Sequence, residues 1–484
     1  MNSQIRRLYL VIVAMVMSLA MAATYIQFFA APSLNADGRN SRTILHASER
    51  DRGPIIVAGE AIAKSEPVEG TKRFQRTYTQ GQLYAAITGW FSASLRSSTG
   101  LEAAAEDVFE GDSLSLLTQR IQSLFTGSVR RGGGVVLTVD PAVQEAAAQG
   151  LAGRRGAAVA LEPSTGRVLA LYSSPSFDPN LLAATDTDQA LAYDEELNAS
   201  ADRPLNNRAI AGDLYPPGSV FKLVTAAAML ESGLTPDSKV PGPASMELPG
   251  TSTVLPNVTG LPCGSQEPTL AEAFARSCNT TFALSAEKLG ADVLREKARA
   301  FGFDSTLSIP LPVTSSSFPE DSDPAQMALA AIGQGKVEVT PLQMAMVGAA
   351  IANNGTLMKP YLIDSVVSAD VVVQQEFSPK VLTKPINPKV AQQLRAMMVD
   401  VVDKPFGTAN NISRGDGSIA AKTGTAETGR GDQTVGWIVA FAPADNPDMV
   451  VAVAVEGDES SPYAGGGSDA GPIARAMLDA RAAK

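Results

Sequence analysis

An uncharged apolar stretch near the N-terminus, Leu8 to Phe29 (LYLVIVAMVMSLAMAATYIQFF), constrains this chain more than any other feature. As a helix it is long enough to cross a hydrocarbon core. Arg6 and Arg7 precede it, and the next basic residue is Arg39. That asymmetry makes residues 1–7 a cytoplasmic tail and residues 8–29 a membrane anchor, and it places everything after the span outside the cytoplasm. Ala20-Met21-Ala22 also looks like a small-residue cleavage site, so a removed signal peptide is the competing reading. The apolar run continues past that point, which favours an uncleaved, single-pass anchor. Both readings export the rest of the chain.

The chain has 484 residues, enough for two or three domains, and 45% of them are apolar, enough for a sizeable core. Its net charge of -11 argues against nucleic acid as a partner, because phosphate binding wants clustered Lys and Arg. The only histidine, His46, lies close to the N-terminus and far from the motifs below. A Ser-His-Asp triad or a His-rich metal site is therefore excluded, and no cofactor is expected. A nucleophile here needs another base, and lysine is the usual substitute. Cys263 and Cys278 are the two cysteines. In an exported domain they can close a disulfide over a short loop; two unpaired small core residues is the other reading.

After the anchor, Asp37 to Arg52 is polar and charged, as in a linker. Ile55-Ile56 and Ala61-Ile62-Ala63 read as a short strand pair, and Tyr78, Tyr84 and Trp90 offer aromatic core. The spacing of Leu114, Leu117, Ile121 and Leu124 predicts a helix over 101–126. Gly132-Gly133-Gly134 reads as a flexible break, closing a small α+β domain over 30–134. In the remaining residues, 135–484, Val135 to Val139 is a strand and Pro141 starts a helix. Apolar runs flank turns at 157–172 and at 436–455, which predicts two hairpins. Between them, 223–230, 270–284, 291–301 and 342–352 look helical, and 470–483 is a terminal helix. Ser460 to Asp469 is Gly/Ser-rich and reads as a mobile loop. Strands at both ends and helices between them predict an α+β fold, its antiparallel sheet assembled from distant parts of the chain.

Three motifs carry the chemistry. In Tyr215-Pro216-Pro217-Gly218-Ser219-Val220-Phe221-Lys222, a rigid turn leads into an apolar helical run, so Ser219 sits at a helix start. Residues three apart share a helix face, so Lys222 can reach the Ser219 hydroxyl. The helix terminus favours negative charge developing on the serine and on a reacting carbonyl oxygen. Such a lysine is a base only when neutral, and burial or a second cation lowers its pKa. The bland reading is an N-cap serine beside an ordinary lysine. Ser277-Cys278-Asn279 lies in a helical region, where Ser277 can relay a proton and Asn279 can bond a substrate amide. A solvated turn is the alternative. Lys422-Thr423-Gly424-Thr425 follows Ile419-Ala420-Ala421, a strand-like lead-in. Thr423 and Thr425 offer hydroxyls to a carboxylate, Lys422 adds charge, and Gly424 lets a ligand backbone approach. A surface turn is the competing reading. Each motif is weak alone; the three in this order are far more specific.

The octet, with Asn207-Arg208-Ala209 upstream, resembles class B penicillin-binding proteins. So do Leu137-Thr138-Val139-Asp140 with Gln144, the run Ala160-Leu161-Glu162-Pro163-Ser164-Thr165-Gly166, and Gly333-Gln334-Gly335 before Thr340-Pro341-Leu342-Gln343. Arg52-Gly53-Pro54-Ile55 is similar to that family's N-terminal signature. The likeness runs nearly the whole length, and it is strongest to the actinobacterial PbpA branch. It implies a pedestal or dimerisation-like domain below a penicillin-binding, serine-β-lactamase-like transpeptidase domain. It implies Ser219 as nucleophile, Lys222 as base, Ser277 and Asn279 as second-motif groups, and Lys422 in proton relay and charge balance. Thr423 and Thr425, on either side of Gly424, would bind the substrate carboxylate, and the N–H groups of Ser219 and Thr425 would form the oxyanion hole. The implied activity is peptidoglycan cross-linking at D-Ala-D-Ala stem peptides, with β-lactams as covalent inhibitors. The implied membrane partner is a SEDS-type glycosyltransferase. The stretch before the transpeptidase region is too short for a glycosyltransferase domain. A D,D-carboxypeptidase or β-lactamase on the same scaffold is the nearest rival, although no glutamate motif of the class A β-lactamases is recognisable after Asn279. A non-catalytic cell-wall scaffold is the rival from another class.

Overall fold

A computed structural model describes residues 2–26, 48–116, 131–212, 214–320, 323–429 and 431–483. Residues 27–29 of the expected anchor, the following segment to residue 47 with His46, and Leu117, Ile121 and Leu124 lie outside them. Helix α1 is Asn2–Thr24. Its Gln4–Thr24 stretch has a mean hydropathy of 1.9 and is long and apolar enough to cross a membrane.

Strands β1 (Ile55–Val57), β2 (Glu60–Pro67) and β3 (Phe74–Tyr78) lead into helix α2 (Gly81–Thr88). The helix expected over 101–126 is not continuous. It is split into α3 (Gly100–Ala104), α4 (Glu106–Phe109) and a 3-10 turn at Leu114–Leu116, and Leu114 is 84% exposed. Two guanidiniums account for the break: Arg52 bonds the carbonyl and carboxylate of Glu102, and Arg76 bonds the same carboxylate. The backbone then turns out of helical geometry at Ala105. Nor is Gly132-Gly133-Gly134 a loose hinge. Gly132 donates to the Asp51 carbonyl and Gly133 to that of Val108. A Cβ on Gly132 would sit 1.7 Å from the Phe109 oxygen, so only glycine fits the crossing.

Strand β4 (Gly134–Leu137) follows, then helix α5 (Pro141–Gly150), capped by the Asp140 carboxylate, and the hairpin β5 (Gly156–Leu161) and β6 (Val168–Ser174). A helical region comes next: α6 (Lys222–Glu231), α7 (Leu270–Ala275), α8 (Asn279–Leu289), α9 (Ala291–Ala300) and α10 (Pro341–Ala352). Strands β7 (Ile363–Val367) and β8 (Val373–Glu376) precede α11 (Pro388–Asp403). The chain ends with β9 (Ala420–Glu427), β10 (Thr434–Ala442), β11 (Met449–Glu456) and α12 (Gly471–Ala482).

Two sheets organise these elements. The five-stranded sheet has the order β9-β10-β11-β5-β6, antiparallel throughout, so strands from opposite ends of the chain are neighbours. Val450 to Val455 are all buried, as are Ala157 to Leu161. Continuous apolar strands of this kind belong to a sheet covered on both faces, here by α5, α12 and α10. Each large apolar side chain fully buried this way stabilises the fold by roughly 1.5–3 kcal/mol. The six-stranded sheet has the order β8-β7-β4-β1-β2-β3, with β1 and β4 parallel. It draws β7 and β8 from far downstream and runs across residue 135. Two residues of the quoted motifs hold α2, and one of them also reaches the five-stranded sheet. Gln144 donates to the Leu83 and Leu171 carbonyls at 2.9 and 3.0 Å, and Asn207 donates to the Ala86 carbonyl.

Candidate active site

Pro216-Pro217-Gly218 turns the chain sharply before Ser219. The Gly218 N–H donates to the Gly333 carbonyl at 2.8 Å, and its φ of +53° is in the region that suits glycine. A Cβ there would meet the Thr425 carbonyl oxygen at 2.7 Å, so the turn packs directly on β9. Ser219 lies in a 3-10 turn, Gly218–Phe221, that runs into α6. It is half-buried, whereas Lys222 and Lys422 are fully buried.

The second motif is not inside a helix. Residues 270–284 looked like one helix, but α7 ends at Ala275 and α8 begins at Asn279. Ser277 takes a φ of +59°, a left-handed conformation that costs a non-glycine residue energy and that appears where the surroundings over-determine it. The Cys278 N–H bonds back to the Ala273 carbonyl, and the Asn279 amide donates to the Pro256 carbonyl at 3.1 Å. Cys278 is paired with Cys263, their Cα atoms 6.0 Å apart. The break points the Ser277 carbonyl and hydroxyl into the pocket, which a continuous helix would not do.

The three motifs meet at two amines. Lys222 Nζ lies 2.9 Å from Ser219 Oγ, 2.7 Å from the Ser277 carbonyl and 2.8 Å from Asn279 Oδ1. Lys422 Nζ donates to Ser277 Oγ at 2.7 Å and to the Thr423 carbonyl at 2.9 Å. Ser277 thus bridges the two lysines. Among the described residues, neither amine pairs with a carboxylate. Burial therefore pushes Lys222 well below the ordinary lysine range, and the Lys422 charge lowers it further. Burial alone brings Lys422 to about 7.

On β9, Thr423 is nearly buried and Thr425 half-buried. The backbone of Pro217 and Val220 lies against Gly424. Thr408 went unnoticed in the sequence: its Oγ1 is 2.5 Å from Thr423 Oγ1. Nothing in its loop context marks it, since the contact depends on how that loop packs beside β9. In the Ser460–Asp469 segment read as a mobile loop, Ser460 to Tyr463 are exposed, but Ala464 to Gly466 are buried, Gly466 against the backbone of Gly424 and Trp437. The arrangement offers a hydroxyl with an amine that can take its proton, hydroxyls for a carboxylate, and an edge strand for an extended peptide.

The chain matches the family model of the penicillin binding protein transpeptidase domain over residues 156–479, and that of the penicillin binding protein A dimerisation domain over 52–135. It is 41% identical to a peptidoglycan D,D-transpeptidase PbpA of Mycolicibacterium smegmatis, over 99% of each chain. It is likewise 41% identical to that of Mycobacterium tuberculosis, again over 99% of each chain. The solved penicillin G acyl-enzyme complex of M. tuberculosis penicillin-binding protein A superposes with a TM-score of 0.83 at 40% identity, covering 90% of this chain and all of that one. With its transpeptidase model matched over two thirds of its length and relatives that align end to end, the chain belongs to the penicillin-binding protein transpeptidase family.

Proposed function

We propose that this protein is a serine D,D-transpeptidase that cross-links peptidoglycan stem peptides, with Ser219 as nucleophile and Lys222 as its base. One observation carries the reading. The neutral Lys222 amine has two N–H donors and one lone pair. Two of its three neighbours, the Ser277 carbonyl and Asn279 Oδ1, only accept. They consume both donors, so the lone pair faces the third neighbour, Ser219 Oγ, which is the one able to donate.

In the first half-reaction Ser219 Oγ bonds the carbonyl carbon of the penultimate D-alanine while Lys222 takes the hydroxyl proton. The backbone N–H groups of Ser219 and Thr425 hold the oxyanion. The C–N bond breaks, and the leaving D-alanine amine takes up the proton that Lys222 removed from Ser219. In the second half-reaction an acceptor amine attacks the ester, its proton passes to Lys222, and Ser219 regains its hydrogen. Thr423 and Thr425, with Lys422 nearby, bind the terminal carboxylate. β-Lactams acylate Ser219 in place of the peptide.

The same reading assigns residues 30–134 to a pedestal domain and 135–484 to the transpeptidase domain. It keeps α1 as an uncleaved anchor with the catalytic domain outside, next to a SEDS-type glycosyltransferase. It also leaves Cys263 and Cys278 oxidised, tethering the second motif. Fluorescent penicillin tests the core of it: the full chain is labelled and Ser219→Ala is not, with the adduct mass on the Ser219 peptide. Wild type that is folded and unlabelled overturns the reading. Product analysis with and without an acceptor amine separates transfer from hydrolysis by a carboxypeptidase or β-lactamase. Normal cross-linking in cells carrying Ser219→Ala would point to a scaffold.

A further inference from the structure

Glu456 is the last residue of β11, and its side chain is only 13% exposed. One carboxylate oxygen, Oε1, accepts from the Tyr215 hydroxyl at 2.7 Å and from Arg208 Nε at 3.1 Å. The other, Oε2, faces Arg155 at 3.1 Å. Arg208 is buried and also donates to the Arg203 carbonyl at 3.1 Å, so it is not free to follow the carboxylate elsewhere. The acceptor is thus held by two cations at the end of a core strand.

Tyr215 opens the octet that carries the nucleophile. Its backbone exchanges both hydrogen bonds with Val339, at 3.0 and 2.8 Å. Its ring packs edge-on against Trp437, with centroids 6.0 Å apart. The Trp437 indole N–H in turn donates to the Pro216 carbonyl at 3.0 Å. The start of the turn is therefore gripped at backbone, ring and hydroxyl, and the hydroxyl grip ends on a charge. Between Tyr215 and Ser219 lie two prolines and a glycine whose N–H is already committed to Gly333. A stiff segment of this kind passes a shift at Tyr215 on to the serine instead of absorbing it.

We propose that Glu456 is a positioning residue for the acylation step, acting through the Tyr215 hydroxyl to hold Ser219 Oγ in line with Lys222 Nζ. The inference rests on Ser219 being the nucleophile. A near-attack geometry is sensitive to small displacements, so the effect falls on the chemical step and not on the initial binding of the acyl donor.

The test measures acylation of the full chain in detergent over a range of penicillin G concentrations, which separates the non-covalent Kd from the acylation rate constant. Tyr215→Phe keeps the ring on Trp437 and removes only the hydroxyl. The expected result is an acylation rate constant about tenfold lower with an unchanged Kd. Glu456→Gln, of the same shape but uncharged, lowers the same constant. The double variant is no slower than the worse single one, because both changes weaken one contact. An unchanged rate constant in Tyr215→Phe overturns the proposal, as do two losses that multiply. A smaller reactive fraction with a normal rate constant also overturns it, because that is what a merely structural role produces. Failure of the wild type to acylate would sink the assignment of Ser219 instead, so the two failures are distinguishable.

Discussion

In the N-terminal region, Arg52 and Arg76 close on the fully buried Glu102, with Arg76 Nε 2.6 Å and Arg52 Nη2 3.2 Å from its carboxylate. Glu110 approaches Arg52 from the other side, and the Phe91 ring lies 4.1 Å from the Arg52 guanidinium. In the transpeptidase domain, Lys222 and Lys422 are just as buried and face no carboxylate among the described residues; aromatic rings of Phe282 and Phe274 lie 5.5 and 5.7 Å from their amines. The first cluster answers the cost of burying charge by pairing it, which ties three stretches of chain together. The second answers it with lowered lysine pKa values, which make a neutral amine at Lys222 available beside a hydroxyl. Equal burial thus yields a structural joint in one place and a readily deprotonated amine in the other, and the difference is the presence of an opposite charge.

Substitutions can break that contrast. The largest effect is expected at Lys222→Met, which fills the same space without an amine. Acylation by penicillin should fall by about 10²–10⁴-fold, while thermal unfolding of the full chain shows no loss of stability, since no lysine remains to be desolvated. Normal acylation, or collapse of the fold, would erase the distinction between the two clusters. Glu102→Ala should do the reverse. It leaves two guanidiniums buried and uncompensated, at a cost of about 3–5 kcal/mol in an unfolding measurement, with the acylation rate constant of the folded fraction unchanged. A change in that constant with little loss of stability would make the N-terminal cluster part of the chemistry.

The smaller effect is a displacement in pH. Protonated Lys222 cannot take the serine proton, so the acylation rate rises as pH climbs through its lowered pKa. Lys422→Met removes the neighbouring charge that lowers Lys222. The Lys222 pKa then rises, and the acid limb of the pH–rate profile moves to higher pH; a limb that stays in place would mean that the two amines do not interact. Stability carries the same sign. Between about 7, where folded Lys422 loses its proton, and the ordinary lysine value, the unfolded chain holds a proton that the folded one has released. Raising pH across that window stabilises the fold, and the burial cost is complete below it. Lys422→Met flattens that slope.

Much of this was legible along the chain because it is local. A serine and a lysine three residues apart behind Pro-Pro-Gly predict a helix start with both side chains on one face, and the 2.9 Å contact follows from that spacing. The two hairpins, and the helices at 223–230, 291–301 and 342–352, are equally local. Other parts were hidden. The apolar periodicity of 270–284 was unbroken, yet the chain leaves helical geometry at Ser277 because its neighbours in space hold it there. The leucine spacing from residue 101 onward suggested one helix, but the chain leaves helical geometry at Ala105, next to the Glu102 that two buried arginines hold. Thr408 and Glu456 carry no pattern at all.

By itself, then, the order of residues determined the apolar N-terminal helix, the character of most elements, and the motifs that hold the candidate catalytic groups, since each depends on neighbours a few positions away. The tertiary structure alone decided that strands from residues 55, 134 and 363 share a sheet, that Ser277 sits between two lysines 200 residues apart in the chain (Lys222 and Lys422), and that both amines are dry. Burial is a property of what closes over a side chain from elsewhere, and it is burial that pulls these two lysines below the ordinary lysine range.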